Sequence, residues 1–438
     1  MSGEFYDASV EKMGRDELMA LQSRRLVSQV HRIYENAPFY REKWDAAGVH
    51  PDDIRSIEDI TKLPFVRKEE LREAQERYGQ FGRLATAPRE TWAELHPSTG
   101  TTGRQVGTLW TKGDVERITD FTARLLWMQG VRSHHVIQNG FSLGLWVAGI
   151  AVHYAAQRLG AFTIPIGAIS AEKQIEMFQE WRSDVFFATP SFGVYIAKRM
   201  ADKGLSGKDI PLSLGSFGGE PGAEVEATRR LLEEGLGITA LDIYGLAEIG
   251  PTMAAECGAK SGLHWTEDHH YVEIVDPTTG EPVPEGKQGV LVITHLTREG
   301  TPMIRYWTND IARLDTATCA CGRTHARSPG GILGRVDDLI IVKGTNFYPA
   351  QVEEVVRGTP GLADEFRLRI KDTGAGFVDC TLVVEVEAQG EATDILTRLR
   401  RAVKERIGVT LPVETVPVGT LERTEFKARR VIREKSSA

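Results

Sequence analysis

Residues 96–104 read HPSTGTTGR, a segment whose composition could bind a polyphosphate. Its six central residues are all glycine, serine or threonine: Ser98, Thr99, Gly100, Thr101, Thr102 and Gly103. Glycine lets successive backbone N–H groups turn towards one point, and the hydroxyl groups add donors around an anion. The segment lacks the Gly-Lys-Ser/Thr ending of the P-loop of nucleotide hydrolases. A phosphate-binding loop is one interpretation, and a flexible Thr/Gly hairpin turn is the other.

A second set of residues could bind zinc: Cys257, His264, Cys319 and Cys321. Three thiolates and one imidazole would complete the tetrahedron of a structural zinc site. The Cys-x-Cys pair supplies two ligands from one turn, whereas a disulfide across it would be strained. His325 is a rival ligand, and Cys380 lies in a run typical of a strand core. The alternative to a zinc site is free thiols in a loop.

Composition and charge limit the class of protein. The chain has 438 residues, of which 41% are hydrophobic and 26% charged, as in an ordinary globular protein of two or three domains. The net charge of −8 argues against binding to nucleic acid or to an anionic membrane. The N-terminus lacks the apolar stretch of a secretory signal, and the most apolar region is interrupted by His153 and Arg158. We therefore expect a cytoplasmic protein.

The elements that must position these residues follow from the apolar pattern. Residues 8–36 have helical spacing, and apolar runs alternate with helix-like segments between residues 120 and 240. That alternation predicts an α/β region with a largely parallel sheet. Residues 271–314 are rich in β-branched residues and predict an antiparallel sheet.

A domain boundary is predicted near residues 334–338, which gives domains at 1–335 and 336–438. The second unit contains a strand at 339–342, a helix opened by Pro349 and a strand from Cys380. A second helix has an apolar stripe: Ile395, Leu399, Val403 and Ile407. This pattern predicts a small α+β domain.

Four further segments stand in a fixed order with the phosphate-loop candidate: GGEP (218–221), DIYGLAE (242–248), YWTND (306–310) and GRVDDLIIVKG (334–344). Together they resemble the adenylate-forming superfamily of acyl-CoA ligases. Three more segments resemble the phenylacetate–CoA ligase family within it: YENAPFYR (34–41), GLHWTEDH (262–269) and TNFYPAQVEE (345–354). The resemblance implies an α/β fold, with a large N-terminal adenylate-forming domain of parallel α/β sheets plus a β subdomain. A small, mobile α+β domain would follow at the C-terminus.

The resemblance implies nucleotide-binding roles. Residues 98–103 would hold the β- and γ-phosphates of ATP, and Tyr244 would lie against adenine opposite the backbone of residues 218–221. Glu248 would bind Mg²⁺, and Asp310, assisted by Arg335, would accept hydrogen bonds from the ribose. Further nucleotide contacts would come from Gly219, Glu220, Pro221, Asp242 and Gly245. Without the resemblance, Tyr244 would be read as packing and Asp310 with Arg335 as a surface ion pair.

The same resemblance assigns a catalytic role to Lys427, in the segment RTEFKARR at 423–430. An ammonium group between the attacking carboxylate and the α-phosphate would stabilise the transition state electrostatically. Phe426 replaces the glycine that usually precedes this lysine. Read alone, the segment would be a solvated basic tail.

The acid pocket is expected around residues 139–146. The resemblance places Phe141 and Trp146 in the wall of a ring pocket that also includes Gly144 and Gly218. Gly140 and Gly144 would let a flat ring approach the backbone. Leu143 stands where a larger aromatic residue is common, which hints at room for a bicyclic ring. The alternative is that Phe141 and Trp146 are ordinary core residues.

The implied reaction is AMP-forming ligation of an arylacetic acid, phenylacetate or indole-3-acetate, to CoA through an acyl-adenylate. ATP, Mg²⁺ and CoA would be required, and the protein would be a homodimer. The C-terminal domain would rotate about Asp337 between half-reactions, and one orientation would bring the Gly344 loop to a tunnel for CoA.

Two other functions remain open on the sequence. One is a stand-alone adenylation domain that loads an aryl acid onto a carrier protein; the segment 262–269 argues against it, and an assay with free CoA would decide. The other is a catalytically inactive, zinc-stabilised interaction protein. Retention of Lys427, Glu248, Asp310 and Arg335 argues against that, and pyrophosphate exchange would decide.

Overall fold

The computed structural model describes residues 4–98, 105–342, 345–374, 377–386, 392–422 and 430–434. The helices are α1 (Ala8–Glu11), α2 (Arg15–Asn36), α3 (Pro38–Ala46), α4 (Lys68–Tyr78), α5 (Lys112–Met128), α6 (Val147–Arg158), α7 (Ala171–Glu180), α8 (Pro190–Asp202), α9 (Glu226–Leu236), α10 (Pro349–Arg357) and α11 (Ala392–Ile407). The strands are β1 (Trp92–Pro97), β2 (Gly107–Thr111), β3 (Val136–Asn139), β4 (Phe162–Ile164), β5 (Val185–Ala188), β6 (Leu214–Gly218), β7 (Thr239–Leu246), β8 (Gly250–Glu256), β9 (Leu263–Trp265), β10 (His270–Val275), β11 (Gly289–His295), β12 (Tyr306–Ala312), β13 (Arg327–Ser328), β14 (Gly334–Arg335), β15 (Ile340–Val342), β16 (Thr345–Phe347), β17 (Leu362–Gly374), β18 (Phe377–Val386), β19 (Val413–Pro417) and β20 (Val431–Glu434).

The largest sheet among the described residues has the strand order β13-β9-β8-β7-β6-β5-β3-β4. The strands from β4 to β7 are parallel, and helices α6 to α9 connect them in turn. β8, β9 and β13 extend the sheet in antiparallel pairing. Helices on both faces require apolar strands, and every residue of β5 is buried. The parallel sheet predicted between residues 120 and 240 is confirmed.

A second sheet, β10-β11-β12-β14, is antiparallel throughout. The turn after β10 forms because Asp276 Oδ1 accepts hydrogen bonds from the backbone N–H groups of Thr278 and Thr279, at 2.8 and 2.9 Å. This sheet confirms the antiparallel prediction for residues 271–314.

The C-terminal part forms a sheet of order β19-β18-β17-β20, packed against α10 and α11. Its core cluster joins residues between Ile340 and Leu411, and among the described residues it includes none before Ile340. The predicted stripe of α11 is buried in that core, and α10 begins at Pro349 as predicted. The small α+β unit is therefore confirmed as a separate core.

The N-terminal helices belong to the larger unit. Leu26 and Ile33 on α2 are buried in the same cluster as Trp265 and Ile293. No helix of the described ranges is both long and apolar enough to cross a membrane.

Candidate active site

The predicted nucleotide segments meet at the carboxyl ends of two neighbouring parallel strands, β6 and β7. Loops that leave such an edge open a crevice, which is where α/β proteins bind ligands. A Cβ placed on Gly218 would lie 2.1 Å from the Ile243 carbonyl oxygen, and one on Gly245 would lie 2.1 Å from that of Pro251. Glycine at these two positions therefore lets the backbones of β6, β7 and β8 approach closely.

Tyr244, Asp310 and Arg335 form a hydrogen-bonded chain beside this edge. The Tyr244 hydroxyl donates to Asp310 Oδ2 at 2.5 Å, and Arg335 Nη1 donates to Asp310 Oδ1 at 2.7 Å. Asp310 on β12 and Arg335 on β14 are direct partners in the antiparallel register. Asp310 is buried, so this is not an ion pair between two exposed side chains. The Trp265 ring packs against Tyr244 at 79°, with centroids 5.7 Å apart.

Burial and charge fix the protonation states in this chain. Burial, and then the adjacent Asp310 carboxylate, raise the pKa of Tyr244 well above its usual value, so the hydroxyl keeps its proton. Burial alone would lower the pKa of Arg335, but Asp310 and Asp337 raise it above the ordinary value. The Tyr244 hydroxyl and the Arg335 guanidinium therefore both stay protonated and donate to Asp310.

Asp242 on β7 lies close to two other acidic residues, Glu224 and Glu256. It borders a cavity of about 320 Å³ that is also lined by Glu224, Arg229 and Glu256. Glu256 pairs with Arg229 at 2.9 Å and accepts a hydrogen bond from the Asp242 N–H at 3.2 Å. Burial, and then the charges of Glu224 and Glu256, raise the pKa of Asp242 well above its ordinary value. Such a shift favours the neutral carboxyl group, which can donate as well as accept a hydrogen bond.

Glu248 lies in the turn between β7 and β8 and is 5% exposed. Lys68, the first residue of α4, places its Nζ 2.7 Å from Glu248 Oε1. The adjacent backbone is also held, because the Ile249 carbonyl accepts hydrogen bonds from His295 Nε2 at 2.8 Å and from Arg298. The described structure therefore pairs the buried Glu248 carboxylate with Lys68, and its role as a magnesium ligand stays a prediction that rests on the preference of Mg²⁺ for carboxylate oxygens.

The phosphate-loop candidate is described only at its base. The Ser98 N–H donates to the Val106 carbonyl at 2.8 Å, and the Val106 N–H donates to the Ser98 hydroxyl at 3.0 Å. Ser98 therefore closes the base of the loop between β1 and β2. The remaining residues assigned to phosphate lie outside the described residues: Thr99, Gly100, Thr101, Thr102 and Gly103.

Phe141 and Trp146, the two predicted pocket residues, pack against each other with ring centroids 5.1 Å apart at 87°. Phe141 is buried and also contacts Phe187, whereas Trp146 is only partly buried. A Cβ placed on Gly219 would lie 2.8 Å from Trp146 Cζ2, so the indole lies against the segment that follows β6. The two aromatic rings thus form a continuous apolar surface that reaches Gly219, at the carboxyl end of β6.

The loop between the two aromatic residues is open around Gly144, which leaves the predicted approach of a flat ring a prediction. Gly144 has φ +105°, and a Cβ placed on it would meet no atom within 4 Å. Its glycine therefore serves the backbone bend and makes no close approach. Leu143 and Leu145 are 36% and 61% exposed.

Glu220 and Pro221, the last two residues of the segment 218–221, lie beyond the end of β6. Glu220 Oε1 accepts a hydrogen bond from the Ser191 N–H at 2.8 Å, in the first turn of α8, and Pro221 is exposed. For the predicted hinge, Asp337 accepts two hydrogen bonds from Arg335, at 2.9 and 3.0 Å.

Two predicted residues, Gly344 of the CoA tunnel and the catalytic Lys427, lie outside the described residues.

The four predicted zinc ligands converge: the ligand atoms of Cys257, His264, Cys319 and Cys321 all lie within 4.8 Å of one another. Cys257 Sγ lies 3.8 Å from Cys319 Sγ, and Cys321 Sγ lies 3.7 Å from His264 Nε2. In a tetrahedral site with Zn–S bonds of about 2.3 Å, sulfur atoms are about 3.8 Å apart. The donor set and its spacing therefore fit zinc.

The rival ligand does not join this cluster. His325 Nδ1 lies 3.0 Å from the Trp265 carbonyl oxygen, and the imidazole is buried there. Cys380 is buried in β18, in the core of the C-terminal unit, as predicted.

The sequence did not point to Lys68 or to Trp265 as residues of this site. Lys68 stands among other charged residues at the start of α4, so no local signal marks its contact with Glu248. Trp265 lies within the segment 262–269, directly after His264. Because successive strand residues face opposite sides, a metal ligand at His264 could have predicted that Trp265 faces the other way, towards Tyr244.

Comparison with known proteins gives matches over nearly the whole chain. The family model "AMP-binding enzyme" matches residues 30–298, and "AMP-binding enzyme C-terminal domain" matches residues 344–435. A phenylacetate-coenzyme A ligase of Thermus thermophilus is 38% identical, covering 98% of this chain and 99% of its own. One from Aromatoleum evansii is 39% identical, covering 97% and 96%.

Solved structures of one ligase in two states are similar to the chain to different degrees. The 2-hydroxyisobutyryl-CoA ligase in its postadenylation state, in complex with 2-HIB-AMP, matches with a TM-score of 0.93 at 30% identity, covering 99% of this chain and 93% of that chain. The same ligase in its thioesterification state, with 2-HIB-AMP and CoA, gives a TM-score of 0.75 at the same identity and coverage. The described arrangement is therefore more similar to the postadenylation structure of that ligase than to its thioesterification structure.

Proposed function

Because the chain belongs to the phenylacetate–CoA ligase family of adenylate-forming enzymes, we propose that it joins an arylacetic acid, phenylacetate or indole-3-acetate, to coenzyme A. Membership makes it an AMP-forming acid–thiol ligase that uses ATP and CoA. The observation that carries the choice of acid is the contact of Trp146 with Gly219, which joins an aromatic wall to the nucleotide edge.

In the proposed reaction the acid carboxylate attacks the α-phosphorus of ATP. A carboxyl–phosphate bond forms, and the bond to pyrophosphate breaks. The CoA thiol then loses its proton and attacks the acyl carbon, and AMP leaves. Pyrophosphate and AMP are good leaving groups in these two steps. Direct attack of the thiol on the free carboxylate would instead have to expel an oxide ion.

Each nucleotide residue has a proposed role. The ribose hydroxyls would donate to Asp310, which Arg335 holds in place at 2.7 Å. Tyr244 would cover one face of adenine, and Asp242 would bond its polar edge. Glu248 would hold Mg²⁺, which supplies positive charge to the phosphate groups when bound. Lys427 would stand between the carboxylate and the α-phosphate.

The domain division at 335/336 is also a proposal, with residues 336–438 turning about Asp337 between half-reactions and the Gly344 loop replacing Lys427 for thioester formation. The separate core of residues 340–411 supports it. We further propose a homodimer, which sedimentation analysis would test.

We propose that Cys257, His264, Cys319 and Cys321 bind a structural zinc ion. All four tetrahedral positions are supplied by the protein, which is typical of structural and not catalytic zinc. The ion would join the end of β8, the strand β9 and the loop 319–321.

Exchange of labelled pyrophosphate into ATP tests the proposed first step. We expect exchange that depends on an arylacetic acid and needs no CoA. Lys427→Ala should slow it at least ~100-fold, because a charge-stabilising group in a closed site contributes about 3 kcal/mol or more. Thioester formation from supplied acyl-adenylate should be far less affected. An inactive interaction protein would show no exchange, and equal loss of both half-reactions would contradict the role of Lys427.

A further inference from the structure

A buried chain of charged side chains leads from α9 of the large unit to the segment that carries Lys427. Arg357, the last residue of α10, donates to the Thr228 hydroxyl on α9, and its Nη1 lies 2.8 Å from Glu353 Oε1. Arg430 Nη2 lies 3.5 Å from the same Glu353 oxygen. Glu353 therefore connects the contact between the two units to Arg430.

The series of side-chain contacts continues from Arg430 to Glu422, which precedes residues 423–429. Arg430 Nη1 and Arg367 Nη1 each lie 2.8 Å from Glu365 Oε2. Arg367 in turn donates to the Glu422 carbonyl. Glu422 and Arg430 are the described residues on either side of residues 423–429, so Glu365 is linked to both ends of that segment.

These charges are held away from water. The side chains of Arg357, Arg430 and Glu365 are 1%, 9% and 12% exposed, and Thr228 is fully buried. Burying charge is costly unless each group is paired, so removing one contact leaves its neighbours without compensation. These side chains should therefore be coupled energetically. Loss of the Thr228 hydrogen bond would shift Arg357, and through Glu353 it would shift Arg430.

The contact between Thr228 and Arg357 joins the two units that separate family models match. It occurs in the arrangement that resembles the postadenylation state of 2-hydroxyisobutyryl-CoA ligase. Rotation of the C-terminal unit relative to α9 would break it, because a hydrogen bond does not survive a displacement of more than about 1 Å.

We propose that Arg357 is a positioning residue for adenylation: docked on Thr228 and paired with Glu353, it holds the C-terminal unit, including Arg430, in the described orientation relative to α9. The inference rests on the proposed catalytic role of Lys427. The planar guanidinium suits this task because it donates to Thr228 and Glu353 together in a fixed geometry.

Thr228→Val tests the inference with the least change of shape, since valine fills the same space but accepts no hydrogen bond. Single-turnover rates are measured for acyl-adenylate formation and, separately, for thioester formation from supplied acyl-adenylate. We expect Thr228→Val and Arg357→Met each to slow the first step about tenfold and to leave the second unchanged, with Arg357→Lys partly restored. Arg406→Met is the matched control, because Arg406 on α11 forms an exposed ion pair with Glu354 on α10, the helix that also carries Arg357. It should change neither rate.

Lys427→Ala in the same assays separates the two ways to fail. If it slows adenylation while Thr228→Val and Arg357→Met do not, the positioning role is wrong and the proposed function stands. If Thr228→Val slows both half-reactions alike, the contact is merely structural and the inference is likewise overturned. If Lys427→Ala leaves adenylation unchanged, the role on which the inference rests is itself wrong.

Discussion

At the scale of single residues, the proposed choice of acid rests most on Trp146. Its ring lies between Phe141 and the Gly219 backbone, so it can both contact an aryl ring and border the nucleotide. An aromatic contact contributes about 1 kcal/mol beyond burial. Trp146→Ala should therefore raise KM for phenylacetate about fivefold and leave KM for ATP nearly unchanged. Indole-3-acetate should lose less, because a larger ring can fill the vacated space.

Steady-state titrations of both acids on the wild type and the variant check this. Trp181→Ala is the control, since Trp181 is a half-exposed tryptophan at the end of α7. Equal losses for both acids together with a lowered Tm would mean that Trp146 is a core residue and that the pocket is assigned wrongly.

Sequence motifs predicted which residues are candidates for the site, but they did not predict which side chains contact one another. Tyr244, Asp310 and Arg335 each stand in a motif that the family resemblance picks out, and the fold brings all three together. The contact of Lys68 with Glu248 could not be predicted, because it depends on how α4 packs against the turn between β7 and β8. Residue type was thus predictable, whereas pairing across the fold was not.

At the scale of elements, the proposed zinc ion would fasten β8 to β9 and to the loop 319–321. Cys319→Ser should abolish zinc binding and lower Tm by roughly 5–10 °C, because a lost structural metal removes a few kcal/mol of stability. The adenylation rate at low temperature should fall much less. Elemental analysis and thermal unfolding measure the two effects.

Cys380→Ser is the matched control, since Cys380 is buried in the C-terminal core away from the cluster. It should retain one zinc per chain. Wild-type protein purified without chelators that contains no zinc would contradict the proposed site.

Elements were predictable where the apolar pattern was local. The stripe of α11 and the apolar run of β5 gave their helix and strand directly. The long strand β17 was not predicted, although Phe366, Leu368 and Ile370 alternate with charged residues as a strand requires. Its partner β20 pairs in parallel from a distant part of the chain, which no local pattern encodes.

At the scale of the whole molecule, the chain matches the postadenylation arrangement of 2-hydroxyisobutyryl-CoA ligase far better than the thioesterification arrangement. An AMP-forming ligase needs both orientations, because one site must first exclude water for adenylation and then admit CoA. In the proposed rotation, the buried contact of Arg357 with Thr228 would be broken when the C-terminal unit turns to admit CoA.

The central claim is that the acid is an arylacetate and that free CoA is the acceptor. The most direct measurement is the rate of thioester and AMP formation with ATP, Mg²⁺ and CoA for phenylacetate, indole-3-acetate, benzoate and 2-hydroxyisobutyrate. We expect equal amounts of AMP and arylacetyl-CoA, with kcat/KM for phenylacetate or indole-3-acetate at least about tenfold above that for 2-hydroxyisobutyrate. A higher kcat/KM for the non-aromatic acid, or acyl-adenylate that is not transferred to free CoA, would contradict the account.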